Sequence, residues 1–126
     1  MTASWRFSTL ADRHRALGSA LEDWSGMGTA WSYDGDPLAE YMAIRTKAGI
    51  MDVSGLKKVH ITGPAASHVI DRATTRNVEK LMPGRAVYAC MLNDAGKFVD
   101  DCVIYRTGPN AFMVVHGAGA DRKSVV

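Results

Sequence analysis

The stretch "PGRAVYACMLNDAGKFVDDCVIY", residues 83–105, decides the fold. Two apolar-rich runs flank Asn93-Asp94-Ala95-Gly96. Asn and Asp tolerate turn conformations and Gly supplies positive φ, so these four residues predict a hairpin. Successive strand residues point to opposite faces. In the second strand Asp100 shares a face with Phe98, Cys102 and Ile104, while Asp101 shares the other with Val99, Val103 and Tyr105. Both sets are otherwise apolar, so at least one carboxylate is expected on a buried surface. A simple four-residue loop pairs residue 92 with 97 and sets Tyr88 opposite Asp101; a bulge would move the pairing by one. A carboxylate and an aromatic ring then meet on one apolar face. A flat heteroaromatic ligand could pack there while the carboxylate holds one of its N–H groups. Burial would raise the carboxylate pKa unless hydrogen bonds favour the charged form. The competing reading is an Asp satisfied by backbone N–H groups or by an arginine.

Outward from the hairpin, "KKVHIT" (57–62) alternates and predicts a strand. Gly63-Pro64 opens a helix with Ala66, Val69, Ile70 and Ala73 on one face. "TGPN" (107–110) predicts a turn, and "AFMVVHG" a further strand. From residue 57 the order is β-α-β-β-β, most of a ferredoxin-like α+β unit without its last helix. Upstream, Asp36-Pro37 predicts an N-cap and first turn for a helix through Ala48, with Gly49 as a left-handed cap. Leu10, Leu17 and Leu21 predict a short amphipathic helix over 10–21. The glycines around Trp24, Trp31 and Tyr33 argue against another helix, and those aromatic rings read as loop-packing anchors.

Hydrophobic residues make up 47% of the 126 positions and charged residues 22%, ordinary for one soluble globular domain. A net charge of +2 without a basic run argues against nucleic acid or an acidic membrane surface as partner. No apolar stretch would span a bilayer, and Arg6, Asp12, Arg13 and Arg15 interrupt any signal-peptide core, so a cytoplasmic location is expected. Cys90 and Cys102 make no disulfide framework and no CxxC, and four scattered histidines show no ligand spacing; no metal site is expected. The ending Asp121-Arg122-Lys123-Ser124-Val125-Val126 can be encoded by DNA resembling the start of a common sequencing adapter. Residues 121–126 are therefore set aside from fold reasoning.

Taken together, "DRHRALGSALEDWSGM", "YMAIRTKAGIMDVSG", "VHITGPAA" and "PGRAVYACMLNDAGKFVDDCVIYRTGPNAFMVVHG" resemble, in order and spacing, the N-terminal part of the aminomethyltransferase family, the glycine cleavage T-protein and its relatives. The resemblance implies the start of a three-domain cloverleaf around a tetrahydrofolate pocket. Residues 1–55 would begin the first domain, and 56–120 would be an incomplete ferredoxin-like second domain. It also implies that Asp101, the second Asp of the pair, is catalytic and contacts the folate. Tyr88, Val103 and Leu56 would hold that cofactor.

The departures are informative. The family's DVSHMG is Asp52-Val53-Ser54-Gly55-Leu56-Lys57 here, and its asparagine after the fourth strand is His116. The folate-facing positions are kept while substrate-facing sequence differs. The resemblance therefore implies tetrahydrofolate-dependent one-carbon transfer from a small methylated substrate, as in the folate-dependent demethylases. A lipoyl carrier protein is the less fitting partner. The 126 residues alone are expected to be inactive. The alternative is a non-catalytic folate-binding relative, such as an iron–sulfur assembly factor.

Overall fold

The computed structural model describes residues 5–24 and 26–117, and the tail 121–126 lies outside them. The architecture is α+β, with two compact units meeting in sequence between Gly55 and Leu56.

The first unit holds three very short strands, β1 (Arg6–Phe7), β2 (Glu22–Trp24) and β3 (Met27–Thr29), in the order β1-β3-β2. None was expected from the sequence. Gly28 sits at the centre of the sheet because a Cβ there would meet the Phe7 ring at 2.6 Å. Helix α1 is only Ala11–Ala16, shorter than the 10–21 predicted. Gly18 turns the chain at φ +88, so Leu21, though buried, belongs to no helix. Helix α2 (Pro37–Thr46) starts as predicted, with the Asp36 carboxylate accepting from the Leu38 N–H at 3.0 Å. Its end differs. Lys47 leaves the helix at φ -136, and Gly49 does not take the left-handed conformation expected of a cap.

The second unit follows the β-α-β-β-β order. Strands β4 (Lys57–Thr62), β5 (Ala86–Leu92), β6 (Phe98–Gly108) and β7 (Ala111–His116) form one antiparallel sheet, with helix α3 (Ala66–Ala73) between β4 and β5. The sheet order is β4-β7-β6-β5, which puts the first strand at an edge. Ala66 and Ile70 of α3 pack with Val78, Ala89, Cys102, Ile104, Phe112 and Val114 as the core. Val69, predicted on the same helix face, is instead 54% exposed. Arg106 ties the loop before β5 to the sheet, donating to the Leu81 carbonyl at 2.7 Å while its guanidinium covers the Phe112 ring. The outer edge of β5 is covered locally: Thr75 N–H donates to the Cys90 carbonyl at 3.0 Å and Arg76 Nε to the Tyr88 carbonyl at 3.0 Å. Backbone groups at that edge thus have protein partners rather than a free ladder.

The hairpin departs from the predicted register. Leu92 pairs with Phe98, and a bulge follows, so that Met91 pairs with Asp100 and Tyr88 with Val103. Asp101 faces Cys90 across the ladder. The cause lies in the turn and the residue after it. Asn93 Oδ1 accepts from the N–H groups of Ala95 and Lys97, both at 3.0 Å, which moves Lys97 into the turn. Val99 is then the extra residue of the bulge. The total displacement is two positions, an even number, so Asp100 and the residues after it keep their predicted faces. Phe98, on the turn side of the bulge, instead pairs with Leu92 and lies on the face opposite Asp100, 64% exposed rather than beside it.

Candidate functional site

The two carboxylates of β6 divide between the two faces. Asp100 lies on the core side at 8% exposure. Its Oδ1 accepts from the Asp101 N–H at 2.9 Å, and its Oδ2 lies 3.3 Å from His116 Nδ1. Asp101 is half-buried on the opposite, open face.

On that open face the Tyr88 hydroxyl donates to Asp101 Oδ2 at 2.5 Å. The two residues are diagonal neighbours in the ladder, a separation that long aromatic side chains span. The bond to Asp101, with some desolvation and the carboxylate's charge, pushes the Tyr88 phenol up to about 12. Val103 pairs directly with Tyr88 and with Val115. Tyr105 and Met113, also paired, continue the same face. Lys58 and His60 of β4, opposite Val115 and Met113, share it, so the surface is apolar at its centre, with a lysine and a histidine on its β4 side and one carboxylate near its end. A carboxylate accepts several hydrogen bonds, so the Tyr88 bond leaves acceptor capacity on Asp101.

Three of the four site residues inferred from sequence, Tyr88, Asp101 and Val103, thus share one face. Leu56 immediately precedes β4. Lys57 pairs with His116, and His116 with Cys102, so Leu56 lies at the same end of the sheet as Asp101, two strand spacings away, or about 10 Å. Cys90, half-buried and opposite Asp101, also belongs to this surface, a placement that no local sequence signal indicates. Burial pushes the other thiol, Cys102, up to about 11.

A second polar cluster, in the first unit, escaped the sequence reading. His14 is buried, with Nδ1 2.7 Å from the Tyr33 hydroxyl and Nε2 3.0 Å from Asp52 Oδ2. Ser8 Oγ donates to the same oxygen at 2.7 Å, and the Ser54 N–H to Asp52 Oδ1 at 2.9 Å. Burial would raise the Asp52 pKa, but bonds from Ser54, Ser8 and His14 outweigh it and hold the carboxyl well below its ordinary range. Among the described residues no group of three or more His, Cys, Asp and Glu could hold a metal ion, and no helix is long and apolar enough to cross a membrane.

Comparison with known proteins places a chain with these features in a family. The chain matches the GCVT N-terminal domain family over residues 10–126 and belongs to it. It is 62% identical, over its whole length, to 34% of the heme-dependent oxidative N-demethylase gamma subunit of Ectopseudomonas mendocina (strain ymp). It is 40% identical over 119 residues, covering 92% of this chain and 32% of the relative, to a probable aminomethyltransferase of Halobacterium salinarum. The crystal structure of the glycine cleavage system aminomethyltransferase T from Bartonella henselae superposes with a TM-score of 0.85 at 26% identity, covering 95% of this chain and 33% of that one. The chain therefore spans about a third of the length of the relatives it matches.

Proposed function

We propose that this chain is the N-terminal part of a protein that transfers a one-carbon unit from a small N-methylated compound to tetrahydrofolate. The observation that carries the reading is the Tyr88–Asp101 pair on the open apolar face of the sheet. The residues fit such a cofactor. A half-exposed aromatic ring and Val103 offer a packing surface for a flat heterocycle, and a carboxylate with spare acceptor capacity offers a partner for its N–H groups. Tetrahydrofolate, when bound, supplies the nitrogen that accepts the carbon.

Asp101 is assigned to hold and orient that nitrogen and to assist its proton transfer. Tyr88 fixes the Asp101 side chain through the 2.5 Å bond and, with Val103 and Leu56, shapes the surface around the cofactor. A cofactor seated on these apolar residues would shield the carboxylate from water and so strengthen its hydrogen bonds.

Identity of 62% to an N-demethylase subunit, against 40% to an aminomethyltransferase, supports the demethylase branch over an aminomethyl-lipoyl carrier as carbon source. Oxidation of an N-methyl group delivers carbon at the level of formaldehyde, and its capture by an amine needs no further oxidant. The oxidising step would then belong to a partner polypeptide.

The test uses the full-length protein. Calorimetric binding of tetrahydrofolate is expected, together with transfer of carbon from formaldehyde. Asp101→Asn is expected to lower that transfer about a hundredfold or more, the usual scale for a positioned acid–base group. Full turnover by the Asn variant would remove Asp101 from the mechanism.

A further inference from the structure

Asp100 sits where several constraints converge. It is the first residue beyond the bulge, paired with Met91, and only 8% exposed. One of its oxygens takes the backbone N–H of Asp101, and the other faces His116 Nδ1. His116 is itself fixed in two ladders, opposite Cys102 on β6 and Lys57 on β4. The next residue is Gly117, where an added Cβ would lie 2.8 Å from Asp100 Oδ1. A side chain at that position would push the carboxylate away. A bulge interrupts the regular ladder and re-aims nearby side chains, so the backbone at Asp101 needs another source of orientation. The bond from its own N–H to the neighbouring carboxylate supplies one.

We propose that Asp100 and His116 form a positioning pair, which holds the Asp101 backbone so that its carboxylate stays on Tyr88 and toward the open face. The inference rests on the assignment of Asp101 made above. His116 donates from Nδ1, and at 3.3 Å this bond is at the long end of the N–H···O range. Its role is to keep Asp100 from turning away from the Asp101 N–H. Neither residue touches the open face, so neither contacts the cofactor.

The experiment compares His116→Ala, His116→Asn and Asp100→Ala in the full-length protein. Transfer kinetics are followed together with the Tyr88 phenol titration, read by NMR of labelled tyrosine. His116→Ala is expected to lower kcat about tenfold or more with KM for tetrahydrofolate changed less than about threefold, the signature of lost alignment. The Tyr88 titration should move down from about 12 as its bond to Asp101 loosens. His116→Asn, whose amide N–H reaches the position of Nδ1, should restore both readouts, and Asp100→Ala should lose both. Should His116→Ala fail to fold, His116→Gln carries the donor one bond farther and is expected to behave as the alanine variant does.

Unchanged kcat and unchanged Tyr88 titration in a folded His116→Ala protein would overturn the proposal. So would an asparagine variant as impaired as alanine. Failure of the functional reading looks different: Asp101→Asn would then leave transfer intact, whatever His116 does to Tyr88.

Discussion

Replacing Asp52 by Asn should loosen the first unit locally and leave its backbone path unchanged. The Asp52 side chain is 15% exposed and takes three short bonds, from Ser8 Oγ at 2.7 Å, Ser54 N–H at 2.9 Å and His14 Nε2 at 3.0 Å. Hydrogen bonds to a charged acceptor are worth about 1 kcal/mol more than neutral ones. An amide in place of the carboxylate also turns one acceptor into a donor facing Ser8 and His14. Three such bonds give a cost of about 3 kcal/mol, or about a hundredfold in a local opening equilibrium. Hydrogen exchange read by mass spectrometry on peptides over 8–17 and 50–56 should therefore speed up by that factor in the Asn variant.

The pH dependence fixes the cause. The folded-state pKa of Asp52 is depressed below its ordinary 3.8. The contribution is then complete above the ordinary carboxylate range and is lost as pH falls through the folded pKa. The gap between wild type and Asn should be flat from pH 5 to 8 and narrow only in acid. Equal exchange at pH 7, or a gap that disappears above pH 5 while Asp52 is still ionised, would refute the reasoning.

Other consequences are equally direct. Asp101→Asn replaces the charged acceptor that raises Tyr88 by a neutral amide oxygen, so the phenol should titrate below about 12, toward its ordinary 10, and an unmoved Tyr88 curve in the NMR titration would contradict the assignment. Ile104, fully buried in the sheet core, should cost about 2–5 kcal/mol when cut to Ala, seen as faster exchange in the amides of β5, β6 and β7. Burial raises the Cys102 thiol to about 11, so at pH 8 iodoacetamide should label Cys90 and spare Cys102 in the folded protein, with peptide mass spectrometry as the readout.

The second unit was legible because its signals are local. Alternation over 57–62, the Asn-Asp-Ala-Gly turn and the paired carboxylates each specify structure within a few residues, and all appear where expected. The faces of Asp100 and Asp101 followed from parity alone. The register did not, because a count through the turn cannot see that Asn93 draws Lys97 into the loop or that Val99 bulges out. The first unit was less legible for a matching reason. Arg6 pairs with Met27 and His14 with Asp52, separations of 21 and 38 residues that leave no periodic trace. Strands of two or three residues are too short to alternate. The leucines at 10, 17 and 21 mimicked a helical stripe that Gly18 cuts short. Asp52-Val53-Ser54 was the one available hint, since an Asp accepting from the N–H two residues on marks a local turn.

The even slip at the β5–β6 bulge has a further consequence for variation. A strand is a two-state object with respect to its faces: odd shifts exchange inside for outside, and even shifts leave the partition alone. Lengthening the 93–97 turn by one residue without a compensating bulge would send Asp101 into the core and turn Cys102 and Ile104 outward. Lengthening it by two would move Asp101 along the same face. Among homologous hairpins, insertions here should therefore come in twos, or singly with a second irregularity that restores parity.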